Sequence, residues 1–223
     1  MQNKDIRTLG YVLKRTNYGE SDRILNIITP NGKVAVIAKG VRKEKSKLAG
    51  SIEMFTLIDF NIHFGRGEFG TVTGARIVKY YGEIIKDFNR MELAGMILKK
   101  ISKISDSSDN PEYFEITNQC LDALGIGENL SIVETWFLIN LRKSMGEEIN
   151  LYYDASGEKL SADKKYNWDN MEMAFREDLN GNYGPNEIKL LRLISSNDLK
   201  MVKRVKVENE TRDLVLQLAR MVV

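Results

Sequence analysis

A single cysteine, Cys120, occurs in the 223 residues. One thiol excludes an internal disulfide and any zinc site built on several thiolates. Its setting, between Gln119 and Leu121 in a stretch of helical periodicity, is that of a buried structural thiol rather than a reactive one. Histidine is as scarce: His63 stands alone, mid-strand, on the face opposite that strand's apolar residues. The chain therefore has no Ser-His-Asp set and no HExxH motif, and it has no phosphate-binding glycine loop. Glu20 and Asp22, two residues apart in a turn, come nearest to paired carboxylates; turn capping and an ion pair with Arg23 are the readings favoured for them. No catalytic residue, no metal ligand and no cofactor is expected. No window approaches the roughly 20 consecutive apolar residues of a membrane span. The start, Met1-Gln2-Asn3-Lys4-Asp5, lacks an apolar signal core. A soluble, cytoplasmic protein without a membrane partner is expected. There is no internal repeat and no low-complexity tract.

Charge, by contrast, is plentiful and uneven. The net charge is only +2, but residues 1–82 hold 14 Lys and Arg against 7 Asp and Glu, a balance of +7. The remaining residues carry 19 cations and 24 anions, a balance of −5. A basic front joined to an acidic back points to two modules with different partners, of which only the front is suited to a polyanion. The positive charge concentrates in one segment, Lys39-Gly40-Val41-Arg42-Lys43-Glu44-Lys45-Ser46-Lys47, with five cations and one anion. It follows the strand-like run Val34-Ala35-Val36-Ile37-Ala38. A cationic loop held by a sheet is what a phosphate backbone requires of a protein. A merely solvated surface loop is the competing reading.

Apolar alternation places five strands in the first 80 residues: Ile6–Arg15, Arg23–Thr29, Lys33–Lys39, Phe55–Phe64 and Phe69–Val78. In the fourth, Ile58, Phe60, Ile62 and Phe64 share one face. Turn chemistry separates the strands at Tyr18-Gly19-Glu20-Ser21-Asp22, at Pro30-Asn31-Gly32 and at Gly65-Arg66-Gly67. Gly70 and Gly74 fit bends or bulges of a closing barrel. Five short strands with a longer link between the third and fourth predict an OB-fold, with a short helix near Ser46–Gly50 in that link. Tyr11, Tyr18, Phe55, Phe60, Phe64 and Phe69 are either barrel filling or stacking platforms. Tyr18, in a turn beside basic residues, is the stacking candidate.

Past Tyr80 the apolar period becomes helical, over Ile84–Phe88, Met91–Ile104, Glu112–Leu124 and Ser131–Met145. Ser131 with Glu134 reads as a capping box. Residues 151–183 lose the pattern and read as an irregular or hairpin insert. Helical signals return over Pro185–Ile194 and near the end, where Leu214, Leu218 and Met221 line one face. The fold class is thus α+β: an N-terminal five-stranded OB-fold barrel over 1–80, then a mainly helical C-terminal domain over 81–223.

Several motifs now read together. Val12-Leu13-Lys14 precedes Tyr18-Gly19-Glu20-Ser21-Asp22-Arg23-Ile24. Then come Thr29-Pro30-Asn31-Gly32-Lys33, Ala38-Lys39-Gly40-Val41-Arg42-Lys43, and Ser46-Lys47-Leu48-Ala49-Gly50 before Phe55-Thr56-Leu57. This ordered series, about a third of the chain, resembles the RecO family of bacterial DNA-repair proteins. Past Tyr80 the resemblance is architectural. It implies binding of single- and double-stranded DNA, annealing of complementary strands and help in loading RecA. It implies RecR and the acidic tail of single-strand-binding protein as partners. Many members of the family hold zinc with four cysteines. The corresponding positions here, near Tyr153 and Ser156 and near Met171 to Ala174, carry none, so zinc is not expected.

The residues expected to bind DNA are Lys39, Arg42, Lys43, Lys45 and Lys47, supported by Arg15, Arg23, Lys33, Arg66 and Tyr18. Two readings compete with this one. The first is an OB-fold adaptor that binds protein, with vestigial DNA contact. The second is a binder of single-stranded RNA.

Overall fold

Alternating apolar residues in the first 80 positions build a closed barrel. The structure, a computed structural model, describes residues 4–65, 67 and 69–223. Strands β1 (Lys4–Tyr18), β2 (Asp22–Thr29), β3 (Gly32–Ala38), β4 (Thr56–Phe64) and β5 (Gly70–Tyr80) close in the order β1-β2-β3-β5-β4. Every pairing is antiparallel except β3 with β5, which meet in parallel at Val36–Gly70 and Ile37–Thr71. This is the OB-fold the strand pattern predicted. The side chains of the neighbouring strand β4 explain Gly70: a Cβ there would lie 2.8 Å from both Ile62 Cγ2 and Phe64 Cε1. Gly74 sits opposite Asn61, where the register breaks before Ile62, as at a bulge. Leu25, Ile27, Val36, Ile58, Phe60 and Ile62 fill the interior and are fully buried. The expected helix at 46–50 is a single 3-10 turn, Ala49–Ser51.

Strand β1 is longer than its sequence pattern, and a bulge at Leu13 shifts its register between Val12 and Lys14. Val12 points into the barrel, so Tyr11 points out of it. Tyr11 is therefore not barrel filling; it is buried against the helices that follow. Its ring lies 5.6 Å from that of Phe114 and 6.4 Å from that of Tyr81. Its hydroxyl donates to Asn118 Oδ1 at 2.7 Å. Burial raises both tyrosine hydroxyls above their ordinary pKa. The helices are α1 (Gly82–Lys86), α2 (Phe88–Ile104) and α3 (Glu112–Gly125). Asp87 separates the first two and caps α2, accepting from the Arg90 N–H. Cys120, on α3, is fully buried, which pushes its thiol pKa up.

The chain divides into two compact units, Met1–Gly125 and Ile126–Val223. The change from strand to helix at Tyr80 falls inside the first. The second unit contains α4 (Leu130–Ser144), α5 (Pro185–Ser196), α6 (Leu199–Val202) and α7 (Asn209–Val222). Asn129, not the Ser131–Glu134 pair, caps α4: its side chain accepts from the Ile132 N–H at 3.2 Å. Ser131 is already helical, and Glu134 receives a bidentate bond from Arg220. On α7 the buried face is Val215, Leu218, Ala219 and Val222, a step round from the predicted stripe; Met221 is exposed.

Between α4 and α5 the insert contains a hairpin, β6 (Tyr166–Asp169) with β7 (Ala174–Glu177). Its small core is aromatic: Phe175 meets Tyr166, Trp168 and Tyr183 edge-on, with centroids 6.4, 5.2 and 5.6 Å away. Each of two turns is closed by an aspartate. Asp154 Oδ1 accepts from Ser156 N, Ser156 Oγ and Glu158 N at 2.9, 2.7 and 3.0 Å. Asp169 Oδ1 accepts from Met171 N and Glu172 N at 2.9 and 3.2 Å. The Ser156 hydroxyl holds the Asp154 carboxyl below the usual range, and the Glu172 and Met171 amides do the same for Asp169. Among the described residues there is no group of three or more His, Cys, Asp or Glu that could hold a metal. No helix among them is long and apolar enough to cross a membrane.

Candidate nucleic-acid interface

The basic segment leaves β3 at Ala38, and its backbone is tied to the β1–β2 turn. Gly40 takes the left-handed conformation (φ 63°) and donates its N–H to Asp22 Oδ1 at 2.7 Å. The Arg42 N–H donates to the Ser21 carbonyl at 2.8 Å, and Lys43 N–H and Ser46 N–H close successive turns onto Gly40 and Lys43. Val41, 2% exposed, is part of the barrel core. Asp22 is thus a turn cap, as its position implied, but Arg23 reaches Asn17 Oδ1 at 3.3 Å and not a carboxylate. With Val41 inside and the backbone pinned, the side chains of Lys39, Arg42, Lys43, Lys45 and Lys47 are all exposed. None of the five is in an ion pair with another described residue; Arg42 Nη1 donates to the Gly19 carbonyl at 3.2 Å.

Strand pairing extends this site across the barrel wall. Tyr18 pairs with Asp22, Thr16 with Ile24, and Lys14 with Asn26; Ile24 and Asn26 pair in turn with Ile37 and Ala35. Leu25, Ile27, Val36 and Ala38 face inward, so this second set faces outward. Tyr18 is 51% exposed at the end of that face, beside the basic loop. Lys14, exposed and without an ion pair to a described residue, shares the face and was missed from sequence. Its signal was there: Lys14, Thr16 and Tyr18 alternate along one strand.

The other expected cations are placed differently. Arg15 is half-buried and bonded to Glu53 at 2.7 Å. Lys33, its side chain 11% exposed, donates to the Ser102 carbonyl at 2.9 Å and pairs with Asp106. Lys33 therefore joins the β2–β3 turn to α2 and is not presented as a free contact. Arg66 lies outside the described residues.

Elsewhere on the barrel, three cations are neutralised. Arg7 and Arg76 both bind Asp59, at 2.6 and 3.2 Å, and Lys79 binds Asp122 at 2.6 Å. The hydrogen bond from Arg7, aided by Arg76, holds the Asp59 carboxyl down to about 2. His63 Nδ1 is bonded to Asp5 at 2.7 Å on the same side of the barrel. The pair is solvent-exposed, the Asp5 side chain at 84% and the His63 side chain at 39%, and it acts as a surface contact.

Known proteins match this chain along its whole length. The sequence model for the N-terminal region of recombination protein O matches residues 1–81, and that for its C-terminal region matches residues 85–223. The chain is 28% identical over 222 residues to the DNA repair protein RecO of Dehalococcoides mccartyi, covering 92% of this chain and 84% of that one. It is 26% identical over 219 residues to the corresponding protein of Listeria monocytogenes, covering 92% and 82%. To that of Rubrobacter xylanophilus it is 31% identical over 137 residues, covering 60% and 55%. The similarity past Tyr80, architectural by motif, is therefore also one of sequence.

Proposed function

The chain belongs to the recombination protein O family of DNA-repair proteins, and from that premise we propose that it is a non-catalytic recombination mediator. It binds single- and double-stranded DNA, anneals complementary strands and assists RecA loading, in the cytoplasm and at the nucleoid. One observation carries this reading: five exposed cations stand on a pinned loop without acidic partners among the described residues, while Arg7, Arg76 and Lys79 elsewhere on the barrel are paired. Unpaired cations can neutralise phosphates and release their counterions directly, whereas paired ones must first share or give up an acid partner. Lys39, Arg42, Lys43, Lys45 and Lys47 make the main contacts, Arg23 and Lys14 flank them, and Tyr18 stacks on a base. Annealing then needs no covalent step. The cationic surface screens the repulsion between two strands and leaves base edges free.

Residues 81–223 carry the protein contacts in this reading, with RecR and the acidic tail of single-strand-binding protein as partners. A groove of 490 Å³ in the second unit supports a seat for the tail: it is lined by Leu190, Leu193, Val205 and Val207, with two cations, Lys189 and Lys206, against one acid, Glu208. Apolar walls with cations beside them complement an acidic peptide.

A salt-dependent titration with single-stranded DNA, duplex and RNA tests the DNA reading. Five phosphate contacts give a duplex slope of log K on log salt of about −4.5, a loss of roughly 10²–10³ in K between about 50 and 200 mM. A flat slope, or no binding at low salt, refutes it and favours the adaptor; a preference for RNA favours the single-stranded RNA reading.

A further inference from the structure

A second group of cations lies at the other end of β3. Residues Lys33, Ala35 and Ile37 share its outward face, and the row leads on to Lys39 in the basic loop. At about 3.3 Å per residue the row from Lys33 to Lys39 is roughly 20 Å long. Lys33 does not end the row in solvent. It reaches across to the Ser102 carbonyl, so the C-terminal turns of α2 continue the same surface. Lys99 and Lys103 are exposed there. They are one helical turn apart and therefore share a face, flanking Ser102. Lys100, half-buried, lies beside them. No ion pair or side-chain hydrogen bond joins any of the three to a described residue.

The acids nearby are Asp106 and Asp109. Asp106 is already neutralised by Lys33, and Asp109 lies over Gly32 at the hairpin turn. A lysine in the last turn of a helix answers the helix dipole by itself, which would account for Lys103 alone. It does not account for Lys99 a turn earlier.

We infer that Lys99 and Lys103, with Lys100 beside them, form a second phosphate anchor. A single nucleic-acid strand held by the loop at 39–47 crosses the outward face of β1–β3 and is gripped again at the end of α2. The face between the anchors is made of Thr16, Ile24, Asn26, Ala35 and Ile37, with Lys14 beside Asn26 on its β1 row. It offers a floor for bases and sugars, and the two cationic groups hold the phosphates at its ends. This rests on the nucleic-acid reading of the loop, and it adds a direction and a length to it. OB-folds engage about 4–16 nucleotides, and a strand must be long enough to reach both anchors.

The test compares the parent with the double variant Lys99→Gln, Lys103→Gln on thymidine oligomers of about 4 and about 30 nucleotides, the first being the low end of an OB-fold site. Binding is followed against salt. On the short oligomer the two proteins bind alike through the loop. On the long one the parent's slope is steeper by about 1.4, from two contacts at about 0.7 each, so its advantage grows about sevenfold between about 200 and 50 mM. The variant Lys99→Arg, Lys103→Arg keeps both charges and retains the advantage. Equal binding of parent and Gln variant at every length overturns the second anchor while leaving the loop's role intact, and so does loss of the advantage in the Arg variant. Failure of the parent to bind any oligomer at low salt overturns the underlying reading instead. Equal melting temperatures of parent and variants tie the difference to binding.

Discussion

Two cationic regions of one barrel differ in what surrounds the charge. Around Asp59, Arg7 and Arg76 converge on a single carboxylate that is 11% exposed. In the loop at 39–47, five cations face solvent with no ion pair among the described residues. A count of charges does not separate the two regions, but the pairing state does. The first region is structure: its charges are satisfied across strands β1, β4 and β5. The second is held rigid by backbone bonds and by Val41, which leaves its charges available. An excess of +7 in residues 1–82 thus leaves cations available only where they are not engaged by acids.

The largest effect that tests this contrast comes from the loop. Changing Lys39, Arg42 and Lys43 together to Ala removes three contacts, so the duplex salt slope becomes shallower by about 2.7 and the parent's advantage grows about 40-fold between about 200 and 50 mM. Exposed side chains usually change stability by no more than about 0.5 kcal/mol each, so the melting curve stays close to that of the parent. A variant that binds and anneals normally while its melting temperature collapses makes the loop structural.

Asp59→Asn tests the contrast from the other side. It removes the partner shared by Arg7 and Arg76 and so converts a paired region into an unpaired one. Duplex affinity rises at low salt, by up to about 12-fold relative to high salt if both arginines gain a phosphate at about 0.9 each. Unchanged binding shows that freedom from acids is not enough, and that placement beside Tyr18 is also required.

Gly40→Ala asks whether the loop must be pinned. A Cβ there would meet only the Lys43 side chain, at 3.7 Å, so the cost is the left-handed backbone, about 1–2 kcal/mol. The melting temperature falls modestly. Affinity falls less than in the triple variant, because the cations remain. A loss as large as the triple variant's would mean that loop geometry, more than charge, governs binding.

Acid separates the regions more gently. The folded-state pKa of Asp59 is lowered to about 2, so its contribution to stability is complete above its ordinary value and is lost as pH falls through about 2. Thermal melts between about pH 5 and 2 therefore lose less stability in Asp59→Asn than in the parent. Identical acid profiles would show that the Arg7–Asp59–Arg76 cluster contributes nothing. Chelator has the smallest expected effect, none on the melting temperature of the parent; a drop, or one zinc per chain by elemental analysis, refutes the reading of a metal-free insert.

Strand alternation made the barrel legible because a half-buried sheet writes its inner face into every second residue, as in Ile58, Phe60 and Ile62. Pairing was not legible, because partners lie far apart in the chain: Lys33 meets Asp106 73 residues away, and Arg7 meets Asp59 52 residues away. Lys33 and Lys43 look alike in sequence, and only the fold distinguishes them. Tyr11 misled for a related reason. The helices of residues 82–125 turn the outer face of β1 into a second core, so an apolar residue there is buried on the wrong side for a barrel. At α4 the local signal was ambiguous: both Asn129 and Ser131 can cap, and the observed start is set two residues earlier.

The aspartate-closed turns of the insert have a consequence for where the protein can mature. Asp169 shuts the turn of the hairpin, Asp154 shuts the turn that precedes it, and Phe175 sits at the centre among three aromatic rings. None of these closing contacts is made by a thiolate, the group that an oxidant converts. Those contacts are then the same in a reducing compartment and in an oxidising one.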